Sequence, residues 1–481
     1  MKNKLQLLWL LLPVLIIAGT FTAAFGSLLP LRDQVEVTQT VLLGDPSAAE
    51  GLLAEYKADY DRHLFWTIAV RPGPEPASET DYVYTQVKHD ENSTDDSTFV
   101  FSISEFNAED TYPEDQIPSD LLPDFQRLET KTPAGKERSM ELDMKQYFKF
   151  YPVDLYMQKG LLQVTAAATE ADHGQRNTPG TKEYVSSKLN DYFRIPVADG
   201  EKMILKVDKT NGSSNVYHRY FGRQFTMSTY AAATSDAIYF TFNTFAGEGK
   251  IVDTSLIPGG YGIYRLPIGQ STGSGKAPEN ISASDLLIDE LSNVLPLNPS
   301  VNICDLRLDS REKRLFLYTL EENDDYWLTV LDLDTMEVLQ KLNLSCESEV
   351  YTWPWCQADD FLVFSTEQTL LLFTAGEDGR FEKEFEIPLP SEEDALFYLD
   401  TEGSFVWDGK RLAFSAACPS DLNGRNWNQL GFRLAVCDAS GLLYCGEYMS
   451  LLNPTDTPGN ISYLCRPTDR YLPKLHWEVK S

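Results

Sequence analysis

Leu328-Thr-Val-Leu-Asp-Leu-Asp-Thr-Met-Glu-Val-Leu339 reads as a strand, an aspartate-rich turn and the start of a second strand. Residues 328–331 are apolar or β-branched, residues 332–336 are turn formers, and apolar character returns at Val338. Three hairpins of the same kind lie on either side. Residues 206–215 separate the runs 203–207 and 216–221, residues 375–380 separate 370–373 from 381–389, and residues 438–441 separate 432–436 from 443–449. A weaker fifth ends the run 261–268 and enters a Gly/Ser loop near Ser271.

Ahead of these hairpins stand the runs 237–242, 314–320, 361–365 and 411–416, many of them apolar on both faces. A strand with one wet face alternates, whereas a doubly apolar strand must be covered twice, as when small sheets stack side by side. The hairpins recur at roughly 40 to 65 residues, a repeat spacing. Helical patterning is scarce. The one amphipathic stretch predicted is 284–295, with Ser284 as cap and Leu287, Leu291 and Val294 on one face. Insertions at 72–80, 107–139, 170–183 and 271–283 are rich in Pro, Gly or charge and read as loops.

The phrase 328–339 looks like the outer hairpin of a β-propeller blade. The whole arrangement, over about residues 35–479, resembles uncharacterised single-pass exported β-propeller-like proteins of Gram-positive bacteria. The resemblance implies an all-β, β-propeller-like domain of six or seven blades following an N-terminal transmembrane helix. Residues 200–449 carry the five hairpins and 35–193 have room for one or two blades more. Closing such a ring needs a strand from one terminus in a sheet begun by the other, and residues 471–479 are the candidate.

Residues 5–26 contain no charge and are interrupted only by Gln6, Pro13, Thr20 and Thr22. That length matches the roughly 20 residues of a spanning helix. Two readings stand, an uncleaved anchor or a signal peptide cut near Ala24-Phe25-Gly26. Lys2 and Lys4 mark the cytoplasmic side, which predicts a single-pass cell-membrane protein with its C-terminal part extracytoplasmic. The organisation expected is residues 1–26 as anchor, 27–34 as juxtamembrane linker and 35–481 as one domain. With only about four residues inside, any signal must pass through a partner.

With 41 basic and 72 acidic residues, the chain has a formal net charge of −31. Nucleic acid is excluded as a partner, since phosphate tracking needs clustered cations and Lys131, Lys136 and Arg138 are scattered. All seven cysteines (304, 346, 356, 418, 437, 445, 465) lie late in the chain and none forms a C-x-x-C. Cys437 and Cys445 flank a hairpin turn and approach each other or not according to register, against buried free thiols as the alternative.

Candidates for chemistry are thin. His63, His89, His173, His218 and His476 show no metal-ligand spacing. The stretch Ser420-Asp-Leu-Asn-Gly-Arg-Asn-Trp427 matches a calcium loop in part through Asp421, Asn423 and Gly424, but Arg425 stands where an oxygen ligand belongs. It also resembles the Asp-box turn of sialidase-type propellers, with Leu422 where an Asp belongs; otherwise it is a polar loop with a Trp anchor. Asp332, Asp334, Asp400, Glu402 and Gly403 are turn residues before they are ligands, and Tyr351-Thr-Trp-Pro-Trp355 is either a stacking platform or filling between sheets. No catalytic residue, cofactor or metal is assigned. The function expected is a surface-tethered binding or scaffolding protein taking a protein or glycan ligand. The alternatives are an extracellular carbohydrate-active hydrolase, or an accessory subunit of a membrane complex such as a transporter.

Overall fold

The computed structural model describes residues 13, 16–20, 22–23, 26, 35–60, 64–83, 99–103, 121–147, 149–150, 153–157, 163–164, 178–200, 202–210, 215–221, 225–246, 253–269, 283–309, 311, 313–321, 325–344, 355–358, 360–365, 369–389, 405–417, 431–452, 463–464, 466–467 and 473–478. They belong to two compact units, one of Ser93–Ser345 and one of Met1–Asn92 with Cys346–Ser481. The described residues are mostly β, in seven antiparallel sheets.

The unit Ser93–Ser345 holds two four-stranded meanders. The first runs through Phe225–Ala233, Ala237–Ala246, Gly262–Pro267 and Ser292–Pro296, the second through Asn302–Leu308, Arg314–Leu320, Tyr326–Asp332 and Val338–Asn343. Residues 315–319 are all buried, and since successive side chains point to opposite faces, both faces of that strand are covered. Leu315 and Leu317 join a cluster with Phe240, Tyr264 and Phe193. Each side chain so buried contributes about 1.5 to 3 kcal/mol. Asn215–Phe221, Lys202–Asp208 and Glu137–Asp143 form a three-stranded sheet, and Phe99–Ile103, Val153–Met157 and Gln163–Val164 form another.

The other unit holds a third meander, Trp355–Gln357, Phe361–Ser365, Thr369–Ala375 and Phe381–Pro388, and a fourth, Phe405–Trp407, Leu412–Ala417, Gly431–Asp438 and Gly441–Leu452. Val35–Gly44 adds to the fourth, pairing Val35 with Leu452 and Gly44 with Tyr444. A further sheet is built on Leu52–Tyr60, Leu64–Arg71 and Ala77–Val83. Its edge is occupied by Lys474–Trp477, with Leu475 opposite Ala54. The stretch 471–479 therefore does supply a C-terminal strand to an N-terminal sheet.

All four clear hairpins expected from the sequence are present, with pairing across 208/215, 331/338, 375/381 and 438/441. The helix expected over 284–295 is not. Ala283–Asp285 and Ile288–Glu290 are single 3-10 turns, and Ser292–Pro296 is the edge strand of the first meander, with Leu295 opposite Ile263. Leu286, Ile288 and Leu291 are buried along this stretch of short 3-10 turns and irregular chain, so their spacing reflects packing rather than a helix.

Helix Leu122–Lys131 falls in the segment 107–139 read as a loop, and helix Lys182–Tyr192 starts at the end of the segment 170–183 read as a loop and runs beyond it. Leu122–Lys131 starts with proline in its first turn and buries Phe125 and Leu128. Lys182–Tyr192 is capped by the Thr181 hydroxyl, which accepts from the Tyr184 amide, and its residues Val185 and Leu189, spaced by four, are fully buried.

Near the N-terminus, residues 16–20, 22 and 23 are helical. Ile16 and Ile17 are exposed at 57% and 58%. The Thr20 hydroxyl donates to the Ile16 carbonyl at 2.7 Å and the Thr22 hydroxyl to the Ala18 carbonyl at 2.8 Å. Among the described residues, no helix is long and apolar enough to cross a membrane.

Candidate functional site

In an antiparallel meander the first and third connections lie at one end of the sheet and the second at the other. The first connections share one construction. Thr234, Asp309, Ala358 and Asp408 each donate a main-chain amide to the carbonyl of the residue at the head of the next strand (Ala237, Arg314 and Phe361, which open theirs, and Arg411, which immediately precedes its own) at 2.8 to 3.1 Å. A second bond then ties the neighbouring strand's end to the same turn in three of them: Ile268 to Asp236, Leu333 to Lys313, and Ala375 to Asp360. The first bond recurs in all four sheets and both bonds in three, a shared construction of the turn.

Aspartates set these turns. Asp309, buried at 4% exposure, accepts the Lys313 and Arg314 amides at 2.7 and 3.1 Å and the Arg314 guanidinium at 3.0 Å. Asp408 does the same for the Lys410 and Arg411 amides and the Arg411 guanidinium. This signal, an Asp shortly before an Arg at the head of a doubly apolar strand, was available in the sequence at both places.

In the third connections, Asp332 accepts from the Thr335 amide and hydroxyl, and the Ser440 hydroxyl donates to Asp438. These bonds hold both carboxyls below their ordinary 3.8. Because the folded value lies below the unfolded one, the turns gain stability above about pH 4 and lose it as pH falls through the lower folded value. Amides 334–337 and 440–441 are thus expected to lose hydrogen-exchange protection only below about pH 4, with no change between about pH 5 and 8.

The most developed buried polar constellation lies in the unit Met1–Asn92 with Cys346–Ser481. The Tyr444 hydroxyl bonds the Tyr448 hydroxyl at 2.8 Å, which donates to Gln39 Oε1 at 3.0 Å, and Gln39 Nε2 donates to the Gly73 carbonyl at 3.2 Å. The Tyr56 and Ser450 hydroxyls bond each other beside it. Phe432 stacks on Tyr448 with centroids 5.2 Å apart and meets Tyr56 edge-on at 5.1 Å. Gly446 makes room, since a Cβ there would fall 2.0 Å from the Tyr444 hydroxyl oxygen. Burial raises the pKa of both Tyr444 and Tyr448, so these phenols stay neutral hydrogen-bond partners. Arg433 and Glu447 form a part-buried cross-strand pair with two bonds of 3.1 Å. The arrangement pins the register of Val35–Gly44 and Gly441–Leu452.

A second constellation fastens the C-terminal strand. The Trp477 indole donates to the Val406 carbonyl at 3.2 Å, the Arg411 guanidinium lies 4.2 Å from its ring, and Arg411 Nη1 donates to the Ala48 carbonyl at 2.7 Å. Arg71 pairs with Glu478 at 3.1 Å.

Of the candidates named from sequence, His63, His89, His173, Asp400, Glu402, Gly403 and the stretch Ser420 to Trp427 lie outside the described residues, as does 351–354. Trp355 begins the strand Trp355–Gln357. His218 lies on Asn215–Phe221, opposite Leu205. His476 faces Glu55 across 3.3 Å at an exposed position. Asp332 is a turn cap, while Lys131 ends a helix and Lys136 and Arg138 lie at the start of a strand, apart from one another in role. Among the described residues no group of three or more His, Cys, Asp or Glu could hold a metal.

Cys437 and Cys445 are free buried thiols, because a register irregularity after Val436 sets Cys437 opposite Leu442 and Cys445 opposite Ala435. Burial pushes the Cys445 and Cys304 thiols up to about 12 from 9.0. Burial thus keeps both as neutral, poorly reactive thiols near neutral pH. Maleimide labelling at pH 8 followed by peptide mass mapping is expected to leave both unmodified in the native chain and to label both in urea.

No family model and no curated protein matches the chain. Among solved structures, it overlaps the Cps50 (Swd1) beta-propeller domain of Myceliophteria thermophila at 10% identity and TM-score 0.22, over 50% of this chain and 66% of that one. An ACO/RPE65 chimera matches at 10% identity and TM-score 0.27, over 53% and 62%, and the mitotic checkpoint complex at 8% and 0.23, over 50% and 52%. The chain thus spans about half to two thirds of each. Overlaps this loose carry no assignment, and the repeat architecture rests on the turns above.

Proposed function

We propose that the chain is a membrane-tethered, β-propeller-like binding or scaffolding protein whose meanders are blades and whose ligand is a protein or a glycan. The observation that carries this reading is how the carboxylates are used: Asp309, Asp332, Asp408 and Asp438 are spent on main-chain amides at one end of their sheets. Recognition then falls to the connections at the other end, since loops displayed by a rigid scaffold are where binding residues collect.

For the tether, the support is the apolar run 5–26 and the Thr20 and Thr22 hydroxyls, which are satisfied by their own helix backbone, as lipid requires. Residues 35–481 are then extracytoplasmic. Two measurements test the reading. The full chain should resist carbonate extraction and be cleaved by protease added outside the cell; release by carbonate would refute the tether. Residues 35–481 should bind on glycan or peptide arrays without turnover, and glycan cleavage by the purified chain would replace scaffolding with hydrolysis.

A further inference from the structure

A sheet edge is a template for an extended peptide: main-chain bonds give affinity, and pockets for alternate side chains give selectivity. On Leu52–Tyr60 the chain both builds that template and fills it. Trp477, His476, Leu475 and Lys474 lie opposite Leu52, Leu53, Ala54 and Glu55, and the Glu478 amide donates to the Gly51 carbonyl at 2.7 Å. The side chains alternate as a groove demands. Leu475 is buried in one cluster with Leu52, Ala54 and Trp66, Trp477 is half-buried with its indole on the Val406 carbonyl and Arg411 over its ring, and Lys474 and His476 are exposed. Arg71 pairs with Glu478. The groove wall has support of its own, since Leu52, Ala54, Tyr56 and Trp66 also share their cluster with Phe432, Tyr444 and Tyr448.

We propose that the edge Leu52–Glu55 is a peptide-binding groove and that Lys474–Trp477 is its tethered, exchangeable occupant. The ligand class is an extended peptide with Leu and Trp two positions apart and an acidic residue after the Trp, the pattern of Leu475, Trp477 and Glu478. The ladder is four residues long and Leu475 is its one fully enclosed side chain, so release opens a single pocket. Leu52–Tyr60, Leu64–Arg71 and Ala77–Val83 stay paired with one another when it opens. A strand docked about a thousandfold in favour over release, at an effective concentration of about 1 mM, corresponds to a Kd of about 1 µM for the same strand as a free peptide. The groove is none of the connections assigned to recognition above and needs no membrane, so its failure leaves both of those readings standing.

The test uses the purified full chain carrying Leu475→Asp, whose carboxylate cannot enter the apolar pocket and so holds the strand out of the groove. A fluorescein-labelled peptide of residues 471–481 is titrated against it and followed by anisotropy. The expected result is binding with a Kd of about 1 µM, weakened at least about tenfold when the peptide itself carries Leu475→Asp or Trp477→Ala, and at least about a hundredfold on the unsubstituted chain, whose groove is already filled. Hydrogen exchange of amides 432–436 and 444–448 is measured on the same variant and should stay protected. Loss of that protection would show the strand to be an integral part of the core and overturns the proposal. A folded variant that binds no peptide overturns it too, as does equal binding to the unsubstituted chain.

Discussion

Ending the chain at Pro473 is expected to lower unfolding stability by about 4 kcal/mol or more, read as a fall in the urea midpoint of residues 35–481. The deletion removes Leu475, which is 3% exposed and packs with Leu52, Ala54 and Trp66. It also removes the Trp477 ring beneath Arg411 and leaves Leu52–Glu55 without their edge partner. Small domains are stable by only about 5 to 15 kcal/mol, so the loss is a large share of the whole. His476→Ala is the control. Its ion pair with Glu55 is exposed on both sides, and the change should stay below about 0.5 kcal/mol.

Asp309→Ala is expected to cost about 2 to 4 kcal/mol. Two main-chain amides and the Arg314 guanidinium, 18% exposed, lose their Asp309 acceptor at once. Because this turn starts the strand Arg314–Leu320, whose residues 315–319 are all buried, the damage should spread through the second meander, and hydrogen exchange of amides 314–320 should accelerate while those of 412–417 do not. Equal acceleration in both strands would mean the meanders are not separate copies of one unit.

The central strands were legible because burial on both faces writes itself as an unbroken apolar run: 314–320 and 361–365 in sequence are Arg314–Leu320 and Phe361–Ser365 in structure. The hairpin turns were legible because Asp and Gly positions have local causes. What failed was period: Leu287, Leu291 and Val294 fall on one helical face, yet Leu287 is exposed and Val294 belongs to an edge strand. The helices Leu122–Lys131 and Lys182–Tyr192 were missed because Pro123, Pro179 and the charges around them weigh toward loop, although Pro suits a first helical turn. Pairing of Ala54 with Leu475 has no local cause, since register between distant segments is decided by packing alone. The polar constellation of Gln39, Tyr444 and Tyr448 was hidden for the same reason: its members lie about 400 positions apart and meet only once Val35–Gly44 is zipped onto Gly441–Leu452.

Hydrogen exchange of the amides of Lys474–Trp477, followed by peptide mass spectrometry, tests the central claim most directly, because it asks whether the C-terminal strand is part of the N-terminal sheet. Protection persisting as long as that of Leu52–Tyr60 is the predicted result. Exchange at the rate of an unstructured peptide would contradict it.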